Sequence, residues 1–432
     1  MKKNNVATTS NVVDNIKKME AARAERRRQY EEQKQAKLDR DAQNKACGRN
    51  VDVDFDILIG QKRAEVKPAL NHVSSSKMNI CVCVRKRPLF EKETAQGEID
   101  VVTASNPNIH IHNPQFKVDG ITKYIQNSDF NFDNAYAEAE ETVALYQYQV
   151  RDLLPSLFER GVVTLFAYGQ TGSGKTFTVS AVTQEAVKDM FRLAPRGVEF
   201  KMSFFEIYGG KVVDLLNNKK QLAIQEDGAQ KIQVVGLTER AALSEQEMHQ
   251  IIDSGHSART TRCTAANDTS SRSHAVCQIK VRNSQGKTLG KLLLVDLAGS
   301  ERAADCQSNN RQRRMEGASI NTSLLALKEC IRALDSNSSH VPFRASKLTM
   351  VLRDSFLDPH QSKIVMIACI NPGSSSADHT LNTLRYAQRL KQGTSNAYSN
   401  PQAVGLMPAA PQTNLAPQAK RAHAYNVAAQ SG

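Results

Sequence analysis

No run of about 18 apolar residues occurs in the 432-residue chain, which excludes a hydrophobic membrane-spanning helix. The N-terminus is polar and charged and lacks the apolar stretch of a signal peptide. The eight cysteines (Cys47, Cys81, Cys83, Cys263, Cys277, Cys306, Cys330 and Cys369) form no CxxC pair and no zinc spacing with histidine. Cys81 and Cys83 alternate along an apolar stretch and read as core filling on one face of a strand. Together these absences predict a soluble chain of a reducing, intracellular compartment. Internal repeats and a sustained a/d heptad stripe are also missing, so a long coiled coil is not expected. Basic residues are not interleaved with aromatics, which disfavours a single-stranded nucleic acid as partner.

What is present is positive charge. The chain carries 57 Lys and Arg against 44 Asp and Glu, a net +13, and this predicts an anionic partner surface. Hydrophobic residues make up 40%, slightly low for a globular chain, so part of the sequence builds no core. The length allows one large α/β domain with appendages, or two to three domains. Residues 1–50 hold 13 Lys and Arg against 7 Asp and Glu, a basic extension read as unordered to about residue 15 and partly helical beyond. Residues 51–77 read as a connector ending in the turn Ser74-Ser75-Ser76. From 78 to 392, strand-like and helix-like stretches alternate, predicting one α/β domain with a mostly parallel, fully covered central sheet. Residues 393–432 turn to Ala, Pro, Asn and Gln and read as a disordered tail.

Within that domain, strands are predicted at Asn79–Val84, Glu199–Tyr208, Ala275–Arg282, Thr288–Val295 and Lys363–Ile370, and helices at Ile320–Leu334 and Ala377–Leu390. Ser244 and Glu247 form a capping box. The alternating stretch NIHIHNPQFKVDGITKYI predicts a hairpin with its tip near Lys117-Val118-Asp119-Gly120. His110 and His112 share one face of it, and without a carboxylate or thiol at ligand spacing they read as an exposed face.

The chain is organised around VVTLFAYGQTGSGKT, Val162–Thr176. An apolar strand empties into Gly169, Gln170, Thr171, Gly172, Ser173, Gly174, Lys175 and Thr176, which fit the phosphate-cradling pattern G-x-x-x-x-G-K-[ST]. The glycines let backbone N–H groups face phosphate oxygens, and the following helix offers its positive end. Lys175 suits the β- and γ-phosphates, and the Thr176 hydroxyl suits Mg²⁺. A nucleoside triphosphate ligand is therefore expected. Such a loop needs partners that sense the γ-phosphate. The strand Leu292–Val295 delivers Asp296, a candidate magnesium-linked carboxylate, and Gly299 allows its N–H to approach the phosphate. The polar run Asn267-Asp268-Thr269-Ser270-Ser271-Arg272-Ser273-His274 suits a loop that grips Mg²⁺ and phosphates.

GQTGSGKT, NDTSSRSH and DLAGSER, in that order, resemble the nucleotide-binding set of the kinesin motor superfamily, over essentially all of residues 78–392. The resemblance implies a P-loop NTPase motor domain that uses ATP and Mg²⁺. It implies adenine-side contacts at Arg85, Arg87 and Pro88 with Phe177 beside them, a Mg²⁺ ligand at Ser271, and a latch between Arg272 and Glu301. Hydrolysis without a covalent intermediate is then expected, with Lys175 spreading charge and Glu301 helping to take the attacking water's proton. Lys117-Val118-Asp119 and Lys328-Glu329-Cys330 resemble the KVD and KEC signatures of kinesin-13, the internal-motor microtubule depolymerases. CVRKRPL and PFRASKLTMVLRDSF also resemble that family. This implies that KVD wedges between tubulin dimers and stabilises curved protofilament ends, while Lys328, Glu329, Cys330, Arg344, Lys347 and Arg353 belong to the docking face. Residues 51–77 do not match the family's neck, and its long targeting and dimerisation regions are not seen, so a monomer is expected. The implied setting is the cytoplasm and the microtubule cytoskeleton. Alternatives are a transport motor, disfavoured because the charged segment precedes the motor and no heptads follow Leu390, and a microtubule-binding regulator without productive hydrolysis.

Overall fold

A 42-residue helix, α1 (Asn5–Ala46), opens the chain, and from residue 16 its side chains are almost all exposed. No Gly or Pro interrupts it, and surface pairs such as Arg28 with Glu25 and Lys45 with Asp41 run along it. The expectation of unordered residues up to about 15 is thus corrected from Asn5 onward. The computed structural model describes residues 5–228, 231–260, 269–301, 311–335, 338, 340–357 and 362–397. A second helix, α2 (Val53–Ala64), is capped by Asp52, whose carboxylate accepts from Asp54 N–H (3.1 Å) and Phe55 N–H (3.3 Å). Lys37–Asp54 (2.6 Å) and Arg40–Asp56 (2.7 Å) tie α1 to it. Phe55 and Ile59 are buried in the main core, so the folded unit reaches ahead of residue 78 into the stretch read as a connector.

The chain then runs through β1 (Ile80–Lys86), α3 (Glu91–Ala95), β2 (Val102–Ser105), β3 (Asn108–Phe116), β4 (Lys123–Asn131) and β5 (Asn134–Tyr136). Next come α4 (Thr142–Gln149), β6 (Val162–Tyr168), α5 (Lys175–Leu193), β7 (Glu199–Tyr208), β8 (Lys211–Asp214), β9 (Lys220–Glu226), β10 (Ile232–Val235) and β11 (Arg240–Ala242). The last elements are α6 (Glu245–Thr260), β12 (His274–Arg282), β13 (Thr288–Asp296), α7 (Arg311–Asp335), α8 (Lys347–Leu357), β14 (Ser362–Ile370) and α9 (Ala377–Ala397). Helix α9 carries the chain five residues into the predicted tail, whose remainder lies outside the described residues.

The central sheet has the order β10-β9-β8-β7-β12-β13-β6-β14-β1-β5, with β11 pairing β7 at its side. The β13-β6-β14-β1-β5 half is parallel. The β10-to-β13 half is antiparallel. The sheet is therefore mixed, which corrects the mostly parallel expectation. The cause is local: Gly209-Gly210, both at positive φ (56° and 74°), and the Asn283–Lys287 turn fold their flanking strands back as hairpins. Side-chain alternation splits the core. Val82, Val84 and Phe166 join the α7, α8 and α9 face, while Cys83, Leu165 and Ala167 join the α4, α5 and α6 face.

A smaller sheet, β2-β3-β4, projects beside this body and carries the predicted hairpin tip. Its tip end rests on α2: the Phe55 and Phe116 rings meet edge to face at 5.4 Å, and Lys123 bridges Asp52 (2.7 Å) and Asp54 (3.0 Å). His110 pairs with Asp129 at 2.7 Å. His112 is buried and bonded to Thr103 and Asn127, so the exposed-face reading fails for it. Burial holds the His112 imidazole below its ordinary pKa. Among the described residues no cluster of His, Cys, Asp or Glu could hold a metal ion, and no helix is long and apolar enough to cross a membrane.

Candidate functional site

Strand β6 lies in the middle of the parallel half, between β13 and β14, and releases the phosphate loop at its C-terminal end. That is where open α/β sheets bind ligands. Gly169 has φ 154°, and a Cβ there would stand 2.1 Å from the Cys369 carbonyl oxygen, so no larger residue fits without moving β14. Gly172 and Gly174 take φ 74° and 92° with open space where a Cβ would be, leaving room for an anion beside the backbone. Ser173 closes the loop by donating to Gln170 O (2.7 Å). Lys175 is buried and its ammonium donates to Gly169 O (3.0 Å) and Gln170 O (2.9 Å). Burial pushes its pKa below the usual lysine range, against the pull of Asp296 and Glu301.

Two segments converge on this loop, Thr269–Arg272 and Asp296–Glu301. Thr176 Oγ1 donates to Asp296 Oδ2 at 2.7 Å, and Asp296 Oδ1 is a buried oxygen without a hydrogen-bond partner. Ser271 and Arg272 lie in a short 3₁₀ turn, Thr269–Arg272, whose Ser271 carbonyl accepts from Gly299 N–H (2.8 Å). Ser300 N–H reaches Gly169 O (3.0 Å). Glu301 accepts from Thr171 N–H (2.9 Å) and from the Thr171 hydroxyl. A Cβ on Gly299 would meet Thr171 Oγ1 at 2.4 Å and the Glu301 carboxylate at 2.5 Å, so a larger residue would have to displace those two side chains. Asn267 falls outside the described residues.

On the flank, Arg85 stands over the exposed Phe177 ring (5.4 Å) and donates to Thr178 Oγ1. Arg87 reaches the loop directly: its Nε donates to Gly172 O (2.6 Å), while Glu93 takes its other nitrogens and Phe90 stacks beneath it at 4.0 Å. Pro88 follows, its carbonyl accepting from Arg87 (2.7 Å).

The predicted partner residues sit at the β3–β4 tip and on or beside α7 and α8. Lys117, Val118 and Asp119 form the β3–β4 tip. There Val118 is wholly exposed, at 108% relative accessibility, while Asp119 accepts from Ile121 N–H (2.9 Å), Thr122 N–H (2.8 Å) and the Thr122 hydroxyl. Of the others, Lys328 and Glu329 lie on α7, Arg344 just before α8, and Lys347 and Arg353 on α8. Glu329 pairs with Arg332. Cys330 is fully buried in the core, so its expected place on a docking surface is corrected: the position one residue on faces inward.

Two functional side chains carry no motif signal. Arg259 on α6 is buried, donates to Asp296 Oδ2 at 2.6 Å, and stands 3.9 Å from the wholly buried Glu206. It holds the carboxylate that faces Thr176. Removing it with Arg259→Ala leaves two buried acids without this cation, and a loss of about 3–5 kcal/mol is expected. Thermal unfolding would read this directly; an unchanged melting temperature contradicts the role. The other is Glu226, at the end of β9, which accepts from both Arg344 (2.7 Å) and Arg353 (2.8 Å). Neither is near its partner in sequence, so only the fold reveals them.

The loop, the two flanking segments and the mixed sheet with helices on both faces compose an α/β P-loop NTPase-like fold. A family profile described as "Kinesin motor domain" matches residues 85–392. A protein named "Diatom spindle kinesin-1", from Cylindrotheca fusiformis, is 44% identical over 387 residues, covering 87% of this chain and 62% of its own length. The chain thus spans less than two thirds of that relative.

Proposed function

The chain belongs to the kinesin motor family, and we propose that it is an ATP-driven microtubule depolymerase of the kinesin-13 type. ATP is the substrate held by Gly169–Thr176, with the base toward Arg85, Arg87, Pro88 and Phe177 and the γ-phosphate toward Ser271 and Gly299. The donor set fits magnesium: a hydroxyl at Thr176, a second at Ser271, and Asp296 with one buried oxygen still unpartnered. When bound, Mg²⁺ neutralises charge on the β- and γ-phosphates. Lys175 exchanges its two loop carbonyls for phosphate oxygens. Glu301, now on Thr171, orients the attacking water and relays its proton, and the latch with Arg272 closes the site around it.

The observation that carries the depolymerase reading is the β3–β4 tip, a bare valine on a turn tied down by Asp119 and braced from below by α2. Such a tip can favour one curvature of its partner, and differential affinity is what shifts a conformational equilibrium. The basic face of Lys328, Arg344, Lys347 and Arg353 fits an acidic polymer surface, with the protein acting as a monomer in the cytoplasm on microtubules. The Cylindrotheca fusiformis relative is named a spindle kinesin, which favours the spindle as one setting. Glu226 already occupies two of those arginines, so Glu226→Gln is expected to raise microtubule affinity about two- to threefold at low salt. Co-sedimentation at two ionic strengths checks it, and equal binding at both would count against that face.

The test of the function is sedimentation of stabilised microtubules after incubation with ATP, ADP or a non-hydrolysable ATP analogue. Catalytic release of tubulin in ATP, with stalled or curled complexes in the analogue, is expected. Intact microtubules that pellet the protein while ATP turns over would favour a transport motor. Binding without turnover would favour a regulator.

A further inference from the structure

Helix α7 carries part of the proposed docking face, and one of its buried side chains joins it to the phosphate end of β13. Ala298 N–H donates to His274 Nδ1 at 3.1 Å. That nitrogen is therefore the bare one, and Nε2 carries the proton that reaches Ser323 Oγ at 2.7 Å. The Ser323 hydroxyl in turn donates to Ile320 O, also at 2.7 Å. Each donor is used once and the chain has a single direction. Both side chains are buried, His274 at 2% and Ser323 at 8% exposure, and burial keeps the imidazole neutral, its pKa pushed down to about 3. Ala298 precedes Gly299, whose N–H holds the Ser271 carbonyl. A cavity of about 410 Å³ borders the same bonds and is lined by Arg272, His274, Ser319, Thr322, Ser323 and Lys347. Helix α7 therefore has free space beside it, with the His274–Ser323 bond linking it to the turn that follows β13.

We propose that Ser323 is a positioning residue which, through His274, conveys rearrangement of the Leu297–Gly299 turn to helix α7. The inference rests on the reading that Gly299 faces the γ-phosphate. It touches neither nucleotide nor partner, so its loss uncouples the two sites while leaving each intact. A buried hydrogen bond of this kind sets a coupling of about five- to tenfold.

Ser323→Ala and Ser323→Thr are compared with the wild-type chain in two measurements. The first is amide hydrogen exchange over Ile320–Leu334 with ADP and with the non-hydrolysable analogue. The second is ATP turnover with and without stabilised microtubules. In wild type, exchange in this segment is expected to differ between the nucleotides; Ser323→Ala loses the difference and Ser323→Thr keeps it. Basal turnover in Ser323→Ala stays within about twofold, while microtubule stimulation falls about five- to tenfold. A Ser323→Ala protein that retains the exchange difference, or whose basal and stimulated rates fall together, overturns the proposal. A wild-type chain without microtubule stimulation, but with the exchange difference lost only in Ser323→Ala, keeps the relay and removes the microtubule reading.

Discussion

Lys175→Ala is expected to lower ATP turnover about a thousandfold while leaving the fold intact. The ammonium lies buried among phosphate-loop carbonyls, held by Gly169 O and Gln170 O. With a triphosphate in the loop it is the one cation of Gly169–Thr176 itself. Arg259 is committed to Asp296, and Arg87 to Gly172 O and Glu93. Stability moves the other way. Burial penalises the charged form of Lys175, so alanine removes that cost, and the melting temperature of the nucleotide-free protein should stay level or rise. Phosphate release at saturating ATP reads the first effect and a thermal melt the second. A variant retaining a tenth of wild-type turnover would remove Lys175 from the catalytic set.

Replacing Lys117, Val118 and Asp119 together by alanine is expected to abolish microtubule-end disassembly while basal ATP turnover stays within about twofold. The tip lies on a separate sheet from the phosphate loop, so nothing in the nucleotide site depends on it. The substitution acts twice. It removes the exposed valine, and it removes the carboxylate that accepts from Ile121, from Thr122 and from the Thr122 hydroxyl. Those bonds hold the Asp119 carboxyl below its usual range. The sign follows: its contribution to the turn is present above the unfolded value and is lost only as pH falls through the lowered one. The single substitution Val118→Ala keeps the turn and separates shape from order. If disassembly survives the triple change, the wedge assignment is wrong.

Much of this was legible in the chain. Gly169–Thr176 announces itself because phosphate chemistry restricts residue type at fixed spacing, and the strand before it is a continuous apolar run. The β3–β4 hairpin was legible from alternation and a Gly-containing turn, and Ser244–Glu247 from capping chemistry. In the structure Glu247 N–H does bond Ser244 Oγ, but the Glu247 carboxylate reaches back to Leu243 N–H. What sequence hid has physical causes. A buried strand reads as apolar whether its neighbour runs parallel or antiparallel, so β7 and β12 gave no sign of their direction. His112 and Cys330 share local patterns with exposed neighbours, and only packing decides which is covered. Arg259 with Asp296, and Glu226 with Arg344, are pairs made by tertiary contact across distant segments.

The placement of β6 has one more consequence. Val162 pairs with Lys291 on one side and Ser362 on the other, 129 and 200 positions later in the chain. Loops of that span close at a high entropic cost, and topologies built on them fold slowly. The phosphate cradle is therefore not complete until β14 as well as β13 is in place. A nascent chain short of Ile370 has the loop's residues but no floor beneath them. Once complete, nucleotide binding stabilises the whole cooperative unit and not a local loop, and it does so with the logarithm of ligand concentration over its dissociation constant.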